Sequence, residues 1–266
     1  MTLPYAARIA CATVLGFAAL SGVESALAET ITLTVGEGLA RFSLLKPGTH
    51  RYLRYTVKND ARNAIDIWSR TIAFENKDGT RALRIVQRWD EVGPRVVLIQ
   101  DSWFEPDTFR PTTHIRHLER NDETHVGGYR FAPGRVVGLE TLEDNERRDF
   151  VMTLTEPAYN FEYDMELLQT LPLATGRDFS IPFYDPGVDK PGRYTFKVTG
   201  VERISGPDGS PIECWVISAD YNTGKVMSRF WIAKSSQILI REETMNEDHS
   251  VQIKALLPPE PSDGTG

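Results

Sequence analysis

The sequence is poor in cysteine, in net positive charge and in long apolar runs, and each shortage closes off a class of protein. Two cysteines occur among 266 residues, Cys11 and Cys214. Cys11 falls in an N-terminal stretch that reads as a removable leader, so Cys214 stands alone in the mature chain and no intramolecular disulfide can form. Lys and Arg number 30 against 37 Asp and Glu, a net charge of −7. An acidic chain gains no affinity from phosphate counterion release, so nucleic acid is excluded as the expected partner. One apolar run stands out, the 12 residues Ile9–Leu20 behind Arg8. As a helix it would reach about 18 Å, short of the ~30 Å hydrocarbon core, so no transmembrane anchor is expected. Ala26-Leu27-Ala28 has the small-x-small form of a signal peptidase site. Residues 1–28 are therefore expected to be a cleaved export signal, with a soluble periplasmic chain starting at Glu29.

Signatures of catalysis are also lacking. Ser43-Leu44-Leu45-Lys46 matches the S-x-x-K of acylating serine enzymes, but Pro47-Gly48 follow at once and the companion elements are missing. There is no G-x-S-x-G elbow and no P-loop. His114, His117 and His125 crowd one stretch, yet on a strand residues three apart project to opposite faces, about 10 Å apart along the chain. That separation cannot serve bonds of ~2.0 Å to one zinc ion. Glu143, Asp144, Glu146 and Asp149 alternate with Arg147 and Arg148 rather than with the ligand spacing and central Gly of a calcium loop, and read as a solvated loop of mixed charge. Cys214, between Glu213 and Trp215, reads as a small apolar strand residue and not as a nucleophile. No cofactor, no metal and no catalytic residue is expected.

What the chain has is strand after strand. Period-two alternation runs through Ile31–Val35, Tyr52–Val57, Ala64–Phe74, Arg81–Trp89, Arg95–Phe104, Thr112–Glu119 and Thr124–Phe131. It resumes from Asp178 and continues in six further segments to Leu256, with short Gly, Asn and Asp turns between them. Such spacing predicts antiparallel meanders rather than crossover units. Asn76-Lys77-Asp78-Gly79 is the strongest hairpin turn, because Asp-Gly tolerates positive φ. One segment breaks the rhythm. Phe161, Met165 and Leu168 fall at i, i+4 and i+7, with Asn160 as N-cap and Pro172 as stop, which predicts a short amphipathic helix over 161–170. Tryptophan, phenylalanine and tyrosine make up 10% of the chain and concentrate in the predicted strands.

The second half carries a family resemblance. Tyr163-Asp164-Met165-Glu166-Leu167-Leu168-Gln169-Thr170-Leu171-Pro172-Leu173 resembles a helix-into-LPL segment of a group of uncharacterised exported bacterial β-proteins, a domain of unknown function. Cys214-Trp215, Phe230-Trp231-Ile232-Ala233-Lys234 and Gln237–Glu242 are similar to that group's later strands, and Asp101–Pro111 to an earlier stretch. The likeness spreads over scattered positions from Tyr52 to Leu256. It implies a curved antiparallel half-barrel of the kind found in the LolA and LolB lipoprotein carriers, and it implies no activity.

The expectation is thus a mainly β protein, a curved antiparallel half-barrel over residues 29–257 with one short helix packed on it and a disordered tail at 258–266. An aromatic-rich sheet with one helix to cover it either packs solid or leaves room for an apolar guest. On the second outcome the ligand is a hydrophobic small molecule, a lipid or a lipoprotein acyl chain. Trp68, Trp89, Trp103, Met165, Leu168, Trp215 and Trp231 are then the candidate lining. On the first, the chain is an envelope scaffold that meets another envelope protein through its sheet edges. A hydrolase whose residues converge only in the fold is a third reading.

Overall fold

A computed structural model describes residues 29–259, apart from 94, 95, 122 and 189. The expected export signal (residues 1–28) and residues 260–266 of the expected tail lie outside the described residues. Within them the chain is mainly β. After β1 (Glu29–Thr32), a meander runs through β2 (Gly48–Lys58), β3 (Ala61–Lys77), β4 (Thr80–Glu91), β5 (Val96–Phe104), β6 (Pro111–Arg120), β7 (Glu123–Ala132), β8 (Arg135–Gly138) and β9 (Val151–Thr153). The short β10 (Tyr159–Asn160) leads through a 3-10 turn into α1 (Asp164–Gln169). A second meander follows: β11 (Arg177–Tyr184), β12 (Gly192–Ser205), β13 (Pro211–Ala219), β14 (Met227–Ala233), β15 (Leu239–Met245) and β16 (Val251–Leu256).

The two meanders fuse into one sheet because β16 pairs antiparallel with β2, Ile253 opposite Tyr55 and Ala255 opposite Leu53. The result is a large curved sheet that does not close, with β1 and β9 at its two ends. Its one departure from the antiparallel expectation is at β11, which β1 and β10 both join in parallel. Local chemistry sets the tight turns. Asp78 and Gly79 have φ of 53° and 82°, and Asn59 and Asp60 have 49° and 63°. Paired positive φ matches the twist of the flanking strands, so each pair closes a two-residue hairpin.

The predicted helix forms, packed against the sheet inside its curve. Asn160 accepts a hydrogen bond from the Glu162 amide at 3.2 Å and caps the entry. Met165, Glu166, Leu167, Leu168 and Gln169 are all buried, so beyond its first residue, the partly buried Asp164, α1 is withdrawn from water. A six-residue helix has little stability of its own and holds its shape through such packing. Around it the main core collects Tyr52, Trp68, Ile72, Phe104, Tyr163, Phe179, Phe183, Phe196 and Phe230, among others. One end of the hollow is sealed by apolar groups: Phe42, Leu45, Phe104 and Phe109 are buried, and the Phe104 and Phe109 rings lie 4.7 Å apart. A smaller apolar cluster on the opposite face of β13 and β14 holds Cys214, Val216, Trp231 and Ala233.

Candidate functional site

Strand pairing sorts the concave side of β3–β7 into rows of directly opposed residues. One row reads Arg70, Gln87, Gln100, Arg116 and Gly127. Two residues along each strand, toward the unsealed end, the row reads Trp68, Trp89, Leu98, Leu118 and His125. Side chains two apart share a face, so an apolar shelf lies directly beside a polar ladder. The alternation that marks a strand in sequence says which residues share a face. It does not say that the inward face would carry charge.

The plug formed by the chain around α1 is bolted to this ladder. Arg70 grips Glu166 with two nitrogens, Nε to Oε1 at 2.6 Å, and its Nη2 donates to the Glu162 carbonyl at 3.0 Å. Gln87 donates to that same carbonyl at 2.7 Å, while its own oxygen accepts from the Trp68 and Trp89 indoles at 3.0 and 3.2 Å. Arg116 donates to Glu162 at 2.9 Å, to the Pro186 carbonyl at 3.0 Å, and also to Asp185. Arg54 pairs with Asp66 and lies over the Trp89 ring, 4.1 Å from its centroid. Lys254 donates to Glu242 at 2.7 Å.

Six carboxylates (Asp66, Asp164, Glu162, Glu166, Asp185 and Glu242) thus face four cations (Arg54, Arg70, Arg116 and Lys254). The imbalance shows in two of them. Withdrawal from water, then the Glu162 charge, pushes Asp185 up to about 7 against the pull of Arg116. Withdrawal from water, then Glu242, does the same to Asp164, also to about 7. His114, buried beside Ser102 with Nδ1 2.7 Å from the hydroxyl, is held well below the usual histidine range by burial and then by Arg116. It is a neutral core residue. His117 lies on the other face of the same strand, and among the described residues no cluster of His, Cys, Asp or Glu is placed to hold a metal. Burial raises Cys214 to about 11, and its side chain is fully covered.

Between the ladder, the shelf and the 185–188 loop lies an open cleft of about 450 Å³. Trp89, Leu98 and Leu118 form its apolar wall, Gln100 and Arg116 its floor, and Glu162, Asp185, Gly187 and Val188 its far side. Gly187 sits there with φ of 79°, and a Cβ on it would come within 2.2 Å of the Tyr129 hydroxyl, so the loop can close on β7 only with glycine at that position. Gln100 is the unusual member. It is fully buried, and neither its amide nitrogen nor its oxygen has a partner.

The structure separates the residues nominated from sequence. Trp89 lines the cleft, and Trp68 lies beneath it, 5.3 Å away in an edge-on ring pair. Met165 and Leu168 are buried in the plug, and Trp215 packs at the margin of the main core with Lys234 over its ring. Trp103 and Trp231 point to the convex side. Lys77 and Arg84 cover the first, and the second donates to Glu202 at 2.8 Å. The polar ladder of Gln87, Gln100 and Arg116 had no signal in sequence, because strand parity alone does not say which face is inward. The acidic stretch after Leu142, read as a solvated loop, is anchored by buried Asn145, which bonds Gly128 through both ends of its amide at 2.9 and 3.0 Å.

Fold and site together define a β-protein with an unclosed, internally plugged sheet and a mixed polar and apolar cleft on its concave side. The chain belongs to the family described as protein of unknown function (DUF3108), whose model matches residues 48–254. Among solved structures it is similar to a beta-barrel-like protein of domain of unknown function DUF1849 from Brucella abortus. That likeness has 12% identity and a TM-score of 0.48, covering 80% of this chain and 96% of the other. The search of curated proteins gives no match. Among the described residues no helix is long and apolar enough to cross a membrane.

Proposed function

We propose that this is an exported, non-enzymatic periplasmic protein that binds an amphipathic, lipid-like ligand in the concave cleft. The plug fills the interior of the curve, so the ligand lies across the unsealed end and is not swallowed by the sheet. The observation that carries the reading is the adjacency of the Trp89–Leu98–Leu118 shelf to the buried Gln100 and Arg116. A cleft of this size falls in the ordinary range for small ligands, and a few fixed polar groups against an apolar wall is how such sites orient what they hold. Each methylene laid on the shelf and withdrawn from water contributes ~0.8 kcal/mol, so six supply ~5 kcal/mol before the cost of ordering the ligand. Glu162 and Asp185 both bond to Arg116, and this reading gives them the role of holding the far side of the cleft in place. Competition with a fluorescent fatty-acid analogue tests the reading. Displacement by medium-chain amphiphiles supports it, and failure of every amphiphile to bind, with no lipid carried through purification, refutes it.

A second use of the molecule is favoured by its topology. β1 and β9 leave the sheet open at both ends, and on β9 Val151 is 62% exposed. An unpaired strand edge is a template for another chain. An envelope protein docked there would make the protein a scaffold. Crosslinking from residue 151 in the native host tests this, with loss of any partner on Val151→Pro as the supporting result.

A further inference from the structure

The cleft contains a recognition group that the fold itself leaves unused. Gln100 stands in the polar ladder between Gln87 and Arg116, directly opposite each across the sheet. Both neighbours are fully engaged: Gln87 with two indoles and the Glu162 carbonyl, Arg116 with Glu162, Asp185 and the Pro186 carbonyl. Gln100 hydrogen-bonds to neither network, although it is fully buried and its amide presents one acceptor and two donor hydrogens. A buried amide with both ends unpaired is rare in folded proteins, and where it occurs it calls for a partner. Here it lies at the floor of an open cleft.

We infer that the ligand bears an uncharged amide, or a hydroxyl group of equivalent reach, that pairs with the Gln100 side chain. This deepens, and rests on, the reading of the cleft as an amphiphile site. Three features exclude a charged head group as the preferred one. Arg116, the cation nearest to Gln100 on the ladder, is already bonded to Glu162 and Asp185, so an incoming anion must compete with both. Glu91, Glu146, Glu162 and Asp185 border the same space against Arg116, Arg120 and Arg147, so the lining offers an anion no surplus of positive charge. A cationic head would leave the Gln100 nitrogen without an acceptor, because an ammonium only donates. An amide answers both ends of Gln100 at once, its N–H donating to Oε1 and its carbonyl accepting from Nε2. The acyl portion then lies on Trp89, Leu98 and Leu118.

Titration calorimetry with three probes of equal chain length tests this: N-decanoylglycinamide, decanoate and decylammonium, each below its micelle concentration. The neutral amide is expected to bind about tenfold more tightly than either ion, the worth of one well-made hydrogen bond to a buried group. In Gln100→Leu that preference is expected to fall below about threefold while decanoate affinity stays as it was, and thermal stability is expected to hold or rise because an unsatisfied group has been removed. Equal or tighter binding of decanoate to the native protein, or an intact preference in Gln100→Leu, overturns the inference and leaves the amphiphile site standing. Absence of binding by all three probes overturns both.

Discussion

Arg70 on β3 and Glu166 on α1 form an ion pair in which neither side chain is more than 2% exposed, and it joins the sheet to the plug at the centre of the molecule. The geometry is two-pronged, with Nε 2.6 Å from Oε1, and the arginine also braces the Glu162 carbonyl that opens the helix. Position of the plug, and with it the far side of the cleft, depends on this contact.

Removing one partner should therefore be far worse than removing both. Glu166→Leu leaves a guanidinium buried without its counter-charge and should cost about 3–5 kcal/mol, whereas the double replacement Arg70→Met with Glu166→Leu should recover most of that loss. Urea unfolding of the native protein and the two variants measures it. Equal destabilisation by the single and double replacements would show that the pair does not act as a unit.

A pH dependence follows from the carboxylates. Asp185 and Asp164 are raised to about 7 in the folded state, above the ordinary unfolded range near 4. The folded protein therefore binds more protons than the unfolded one between these values, so their contribution to stability is greatest below pH 4 and is lost as pH rises to about 7. Asp185→Asn removes its own share of this slope and leaves that of Asp164. Relative to the native protein, its melting temperature should climb between pH 4 and 7 and level off above. A constant difference across that window would mean that Asp185 is an ordinary carboxylate.

Cys214 supplies an independent check on the convex cluster. Its thiol is covered, and burial raises it to about 11. Little of the thiolate that reacts with disulfide reagents exists at neutral pH. Modification by such a reagent should wait for global unfolding and track it as denaturant is added. Fast labelling of the native protein would show that the cluster opens locally.

Much of the frame was legible in the residues. The hairpin at Asp78-Gly79 is specified by the positive φ that the two residues tolerate, and the helix start by an asparagine that caps. Leu168 and Met165 were recognisable as one buried face. The rest needed the third dimension. Glu166 lies on what an amphipathic reading assigns to solvent, yet Arg70 waits for it on a strand 96 residues earlier. Nothing local to either residue reports such a pairing. Parity along β5 and β14 told that Trp103 and Trp231 share a face with their alternate neighbours, but not that this face is convex. The choice between a hollow and a packed interior turned on how fully the side chains around the helix fill the curve, which strand parity does not report. Gln100 was invisible for a different reason: its meaning lies in hydrogen bonds that its neighbours make without it.

Indole N–H resonances give the most direct test, since the five tryptophans are distributed over both faces. Titration with N-decanoylglycinamide should shift the Trp89 resonance, and the Trp68 resonance that shares the Gln87 oxygen with it, while Trp103 and Trp231 on the convex side stay in place. Shifts confined to Trp103 or Trp231, or no shift at Trp89 at saturating probe, would contradict a ligand site on the concave face.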